Sequence, residues 1–297
     1  MTDKHALSKD TVNLGQAILA GEDYLKQFDL SYFHGTDNAR DESAWLCIHA
    51  VGLSPIEAVD YDLVLTADEL ANIHMLLEKR AHTKQPAAYL TGTAYFCGLP
   101  FKVDPRVLIP RSPIGALIVD GFSDWFDKEP ANVLDLCTGS GCIGIACAYA
   151  FEAANVVLSD YSEDALEVAV ENIAMHSLAQ RVTAVASDLF DQLPDRQFDL
   201  IVTNPPYVDQ EDMEALTAEF EHEPEMALAA GDDGLLLVHR ILKEAKRYLL
   251  PNGVLVCEVG NSADALTAAY PELPFEWLQF GDGVGGVFVL RHHQLPD

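Results

Sequence analysis

Asp135-Leu136-Cys137-Thr138-Gly139-Ser140-Gly141-Cys142-Ile143-Gly144 joins an apolar run, 133–136, to a run with helical periodicity, 142–151. Gly139 and Gly141 let the backbone come close to a ligand that side chains would hold off, at a point where a helix N-terminus offers N–H groups. The spacing of Gly139, Gly141 and Gly144 is also that of a dinucleotide loop, so a nicotinamide-binding sheet competes for the same residues. Outward from this loop the chain alternates in period. Strands are predicted over 133–136, 156–159, 182–185, 200–203 and 253–258, with helices over 142–151 and 162–175 between them. Such units predict an α/β fold, a mostly parallel sheet with helices on both faces. The runs 275–280 and 287–291, around Gly281, Gly283, Gly285 and Gly286, predict an antiparallel hairpin added at the sheet edge.

Acids recur at the strand ends, the edge where open α/β sheets bind ligands. Asp135 stands just before the glycine loop, where it would repel a pyrophosphate and suit a cationic amino-acid head and a sulfonium. Asp160 ends the next strand and is placed to accept from ribose hydroxyls. It therefore suits a nucleoside of either kind. Asp188, after the third strand, can accept from an adenine amine. Singly, each acid also fits a solvated turn or a helix cap.

The fourth strand runs into Thr203-Asn204-Pro205-Pro206-Tyr207. Asn-Pro-Pro would serve simply as a stiff loop, since neither proline can join a ladder. That reading leaves the aromatic unexplained. A second reading accounts for both: the Asn204 side-chain oxygen and the Pro205 carbonyl accept two N–H bonds from a planar amide-type nitrogen, and Tyr207 packs on its flat face. Pro206 stiffens the loop. The catalytic candidates are therefore Asn204, Pro205, Pro206 and Tyr207.

The first third of the chain has a different texture. Asp10 is predicted to cap a helix bearing Leu14, Ile18 and Leu19, with Leu25 and Phe28 extending the pattern. Asp41 is predicted to start a second helix with Ala44, Trp45 and Ile48, stopped by Gly52 and Pro55. Thr66 and Glu69 form a capping box ahead of Leu70, Ile73, Leu76 and Leu77. Short strands around a glycine turn are predicted from Tyr89-Leu90-Thr91-Gly92 through Phe101-Lys102-Val103, then a helix over 114–122. The expected organisation is a helical domain over 1–84, a connecting β-hairpin over 85–106 and the α/β domain over 107–297.

The chain has 297 residues, with 47 acids against 18 Lys and Arg and a formal charge of −29. That surface repels phosphate backbones, so stable nucleic-acid binding is not expected. It would attract a basic protein, although an acid excess also serves solubility alone. None of the six cysteines forms a C-x-x-C pair, which predicts neither a metal site nor a redox motif. No run of eighteen apolar residues and no leader-type start is present, so a cytoplasmic protein without a membrane span is expected.

With those residues in view, the chain resembles the protein-glutamine N(5)-methyltransferase family over nearly its whole length. The matching blocks are Gln85-Pro86-Ala87-Ala88-Tyr89-Leu90-Thr91-Gly92, Val107-Leu108-Ile109-Pro110-Arg111, the 135–141 loop, Asn204-Pro205-Pro206-Tyr207 and Cys257-Glu258-Val259-Gly260-Asn261. The resemblance implies a class I methyltransferase sheet behind a helical N-terminal domain, with S-adenosyl-L-methionine as donor and S-adenosyl-L-homocysteine as product. It implies donor contacts from Asp135, Cys137, Thr138, Gly139 and Gly141, from Asp160 with Tyr161, from Asp188 with Leu189, and from Asn204. Release-factor enzymes of this family carry a Pro-Arg-x-x-Thr-Glu pattern where this chain has Pro110-Arg111-Ser112-Pro113-Ile114-Gly115. That variant, with His34-Gly35-Thr36-Asp37-Asn38 and Phe96-Cys97-Gly98, resembles the branch acting on the third protein of the large ribosomal subunit. So does Glu221-His222-Glu223-Pro224-Glu225, expected either to line a protein-substrate groove or to cap a helix. The alternatives are a release factor as substrate, adenine methylation in nucleic acid, a nucleoside-binding adaptor, or a dehydrogenase, and the last two have no use for 204–207.

Overall fold

The structure, a computed structural model, describes residues 12–280 and 286–297. It divides into two compact units, Met1–Gly92 and Thr93–Asp297. In the first, helices α1 (Leu14–Leu25), α2 (Ala39–Ala50) and α3 (Ala67–Thr83) pack together, followed by the short α4 (Ala87–Thr91). Gly21 and Ser43 bring α1 and α2 close: Ser43 donates to the Ile18 carbonyl at 2.8 Å, and a Cβ at Gly21 would collide with the Ser43 hydroxyl. Arg80 is wholly buried on α3, its Nε 3.0 Å from Glu42 Oε2 and its Nη2 donating to the Ser31 carbonyl at 2.7 Å.

The helix starts differ from the sequence expectation in two places. Asp10 lies outside the described residues, and α1 is capped by Asn13, whose side chain accepts from Gln16 N at 2.9 Å while Gln16 returns a bond to Asn13 N. Asp41 sits inside the first turn of α2. Asn38, extended at φ −163°, is the cap and accepts from Asp41 N at 3.0 Å. The short amide side chain of Asn serves as well as Asp at this position, so the acid was not needed for the cap. The Thr66–Glu69 box is present as expected, with Glu69 N donating to Thr66 Oγ1 and Thr66 N to Glu69 Oε2. Replacing Thr66 by Ala removes one half of the box and should lower unfolding stability by about 1 kcal/mol, read by urea titration. Tyr89-Leu90-Thr91 is helical, not a strand. Pro86 opens α4 at φ −53°, Thr91 Oγ1 bonds back to the Ala87 carbonyl, and Gly92 closes it at φ 68°.

The second unit begins with an antiparallel pair, β1 (Thr93–Phe96) and β2 (Leu99–Lys102). Asn172 ties this pair to the rest of the unit by accepting from Lys102 N at 2.7 Å and donating to the Lys102 and Ser140 carbonyls. After α5 (Ile114–Val119), three residues shorter than the apolar pattern to Phe122 implied, come β3 (Asn132–Leu136), α6 (Cys142–Ala150), β4 (Asn155–Asp160), α7 (Glu163–Met175), β5 (Val182–Ala186) and β6 (Phe198–Thr203). Then follow α8 (Gln210–Ala215), α9 (Leu236–Tyr248), β7 (Leu249–Glu258), α10 (Ala263–Ala269), β8 (Glu276–Trp277) and β9 (Val287–Arg291).

The sheet order is β5-β4-β3-β6-β7-β9-β8, with β9 antiparallel to β7 and β8 antiparallel to β9. The glycine turn at 281, 283 and 285 lies outside the described residues. Alternate residues of the central strands feed two cores: Val133, Leu200, Val202, Val254 and Val256 on one face, and Leu134, Leu136, Ile201, Leu255 and Cys257 on the other. A strand buried on both faces has to read as a nearly continuous apolar run, which is what made these strands visible.

Candidate active site

The strand order reverses between β3 and β6, the switch point at which such sheets leave a crevice beyond their carboxyl ends. Leu136 pairs with Thr203 in register, and Thr203 Oγ1 donates to the Leu136 carbonyl at 2.7 Å. The residues that follow, Cys137 and Asn204, are thereby set side by side. A cavity of 390 Å³ opens there. Its walls include Cys137, Thr138, Gly139, Asp160, Tyr161, Asp188, Leu189, Asn204 and Pro206. Cys137 at φ 59°, Gly139 at 54° and Gly141 at 83° are all left-handed, so the loop curls back on itself, with Gly139 N donating to Asp160, Gly141 N to the Thr138 carbonyl and Gly144 N to Asp135.

Asp135 and Gly141 are not among the cavity's lining residues, and the geometry says why. Asp135 shares a sheet face with Val133, beneath α6, and is wholly buried. Its Oδ2 accepts from Thr138 Oγ1 at 2.5 Å and from Gly144 N at 2.8 Å, while Oδ1 is buried without a partner. Gly144 has to be glycine, since a Cβ would stand 2.9 Å from the Asp135 Cβ and run into Leu158. Asp135 is thus the strut under the glycine loop and not a wall of the cavity. Burial pushes its carboxyl up to about 7, with a further push from Asp160.

Asp160 ends β4 and reaches the cavity with both oxygens already in use: Oδ2 accepts from Gly139 N at 2.8 Å and Oδ1 from Ser162 N at 2.9 Å. A carboxylate has about four lone-pair sites, so two remain for hydroxyls of a ligand. Burial raises its pKa. Tyr161 is 68 % exposed on the rim. Asp188 is less free than its position after the third strand implied. Arg240 on α9 donates to its Oδ1 at 2.7 Å, leaving Oδ2 for a ligand. Leu189, buried at φ 49°, closes the wall beside it.

A second cavity of 340 Å³ lies across the 204–207 segment, bounded by Asn204, Pro205 and Tyr207 and by Arg111 and Phe220. Asn204 lines both cavities, and its Oδ1 is buried with no hydrogen-bond partner. An orphaned buried amide oxygen costs stability and points to a donor that arrives with a ligand. Tyr207 turns away from the first cavity. Its hydroxyl donates to Glu258 Oε1 at 2.9 Å, and burial, then Glu258, raise its pKa, so the phenol stays protonated.

Glu223, the middle residue of the 221–225 motif, is buried, and Pro224 beside it lines the first cavity. Glu223 accepts a bidentate pair from Arg111 at 2.6 and 2.8 Å and a third bond from Ile109 N at 3.0 Å, pinning the acidic loop to the 109–111 segment. Glu258, Ser112 and Arg240 were not singled out from sequence as site residues. The one available signal was an acid ending the apolar run of β7, two residues before Gly260.

The family model "Methyltransferase small domain" matches residues 122–238. A ribosomal protein uL3 glutamine methyltransferase of Francisella tularensis is 47 % identical over 270 residues, 89 % of this chain and 85 % of the relative. One of Neisseria meningitidis is 46 % identical over 269 residues, 90 % and 88 % of the two chains. Among solved structures, the hMettl16 catalytic domain in complex with MAT2A 3'UTR hairpin 1 superposes with a TM-score of 0.51 at 13 % identity, over 83 % of this chain and 91 % of that one. That likeness shows the fold, the α/β sheet of class I methyltransferases. Among the described residues no helix is long and apolar enough to cross a membrane. Identity at this level over nine-tenths of the length places the chain in the family of the ribosomal protein uL3 glutamine methyltransferases.

Proposed function

We propose that the chain transfers a methyl group from S-adenosyl-L-methionine to the side-chain amide nitrogen of a glutamine in ribosomal protein uL3, leaving S-adenosyl-L-homocysteine. The observation that carries this is the orphaned Asn204 Oδ1 in the wall shared by two cavities, one suited to a nucleoside and one to a planar side chain. S-adenosyl-L-methionine supplies an electrophilic methyl on a sulfonium. The first cavity fits it: the Asp160 carboxylate and Asp188 Oδ2 offer polar partners for a ribose and an adenine. Asp135 adds negative charge beneath the loop without touching the ligand.

An amide nitrogen is a weak nucleophile because its lone pair is drawn into the carbonyl. The Asn204 Oδ1 and the Pro205 carbonyl accept its two N–H bonds, fix the NH2 toward the first cavity and stabilise the positive charge that grows as the nitrogen takes the methyl. Pro206 holds the segment stiff, and the Tyr207 ring packs on the amide plane. No base is assigned from Tyr207, whose phenol stays protonated. The proton leaves the nitrogen after transfer.

The N-terminal helices, over 1–84, are assigned to substrate recognition, the 85–106 segment to connection and 107–297 to methyl transfer. A basic ribosomal protein suits a chain of charge −29. Labelled donor supplied in parallel with uL3, a release factor and duplex DNA tests the assignment. Label on uL3 is expected. Label on the release factor alone would correct the substrate, and label on DNA alone would overturn the reading.

A further inference from the structure

We infer that Glu258 is a positioning residue for methyl transfer, which holds the Tyr207 ring at the acceptor cavity through its phenol, with Ser112 as its second anchor. This rests on the reading that the 204–207 segment holds the acceptor amide. Glu258 is the last residue of β7 and is 6 % exposed. Its two oxygens are divided: Oε1 accepts from Tyr207 at 2.9 Å and Oε2 from Ser112 Oγ at 2.5 Å. Ser112 is itself fixed, its hydroxyl accepting from Ile114 N at 3.2 Å. The nearby guanidinium of Arg111 makes its bidentate pair with Glu223, while Glu258 accepts from two hydroxyls, those of Tyr207 and Ser112.

The rest of Tyr207 is restrained as tightly. Gly260, at φ 47°, presents bare backbone to the ring, and a Cβ there would stand 2.9 Å from Tyr207 Cζ and still closer to Cε2. Ser262 Oγ donates to the Tyr207 carbonyl at 3.1 Å, and Gly234 leaves room for that carbonyl where a Cβ would strike it. Four points of the residue are therefore set: ring edge, hydroxyl, carbonyl and the Pro206 link. A buried carboxylate is a costly way to fill space, since an apolar side chain would pack there without desolvating a charge. What the carboxylate adds is direction. A hydrogen bond to a fixed acceptor holds the phenol at one angle, and small displacements of a group that orients a reacting amide cost rate steeply.

The test uses the full chain, with Tyr207→Phe, Glu258→Ala, Glu258→Gln, Ser112→Ala and the doubles of the first with the second and the fourth, each measured for kcat, KM and donor affinity. Glu258→Ala and Tyr207→Phe should each lower kcat on the order of tenfold or more, with donor affinity kept within about twofold. The double should lose no more than the worse single, because both act through one bond. Glu258→Gln should recover most of the rate, since its carbonyl accepts from Tyr207 and its amide donates to Ser112. Should Glu258→Ala fail to fold, the Ser112→Ala and Tyr207→Phe pair carries the same cycle. Additive losses, or Glu258→Gln as slow as Glu258→Ala, would overturn the inference. If Asn204→Ala leaves turnover intact, the reading of 204–207 fails first; if Asn204→Ala is inactive while every Glu258 variant is fast, only the positioning role falls.

Discussion

Asn204→Ala should lower the single-turnover rate of methyl transfer by about 10²–10³ at saturating donor, the loss seen when one preorganised partner of a developing charge is removed. The size follows from what Asn204 is positioned to do. Its Oδ1 has no partner within the protein, and it stands where the two cavities meet. Truncation therefore breaks no internal hydrogen bond of that oxygen, and the fold should lose little. The donor cavity keeps Asp160, Gly139 and Leu189. Donor affinity, measured by calorimetry with S-adenosyl-L-homocysteine, should stay within a few fold of wild type. Loss of rate with affinity kept is the signature of an interaction made chiefly in the transition state. Unchanged turnover in Asn204→Ala would sink the assignment of the acceptor site.

Parts of this site are written in local sequence and parts are made only by the fold. Strands β3, β4, β6 and β7 are buried on both faces, so their apolar runs stood out without a homologue. The 204–207 segment stood out because two prolines and an aromatic at a strand end make a poor generic loop. Partners distant along the chain could not be seen. Ser112 and Glu258 are 146 residues apart and Tyr207 and Glu258 are 51 apart, and no local pattern announces either bond. Arg240 was hidden for a similar reason: on α9 it reads as an ordinary charged helix residue until the fold brings it to Asp188. The helix starts are ambiguous for a local reason. Asn13 and Asn38 cap as well as the acids beside them, and local spacing does not rank the choices. At Tyr89-Leu90-Thr91 the strand-like composition was overridden by Pro86 and Gly92, which bracket one helical turn.

Asp135 illustrates a residue whose place was legible and whose work was not. Its position before the glycine loop pointed to a cationic ligand, but alternation along β3 puts its side chain on the Val133 face, under α6 and away from the cavity. The consequence is measurable as pH dependence. Burial raises its carboxyl from an ordinary 3.8 to about 7 in the folded chain, so between those values the folded state holds a proton that the unfolded chain has released. Stability contributed by that proton is fully present below about pH 4 and is lost as pH rises through about 7. A displacement of roughly 3 pH units corresponds to about 4 kcal/mol, an upper figure for a group whose neighbours can relax. Asp135→Asn has no charge to desolvate, and its side-chain oxygen can still accept from Thr138 and Gly144. Urea titrations at pH 4.5, 6 and 8 should therefore show the variant gaining on wild type as pH rises, by up to about 4 kcal/mol at pH 8. Parallel stability curves would refute the linkage. The same charge should matter to the ligand: a cationic donor favours the ionised strut, so donor affinity in wild type should rise with pH across this window, and in Asp135→Asn that part of the rise should be absent. A variant that is more stable at pH 8 and binds donor more weakly would identify the buried carboxylate as stability given up for recognition of a positive charge.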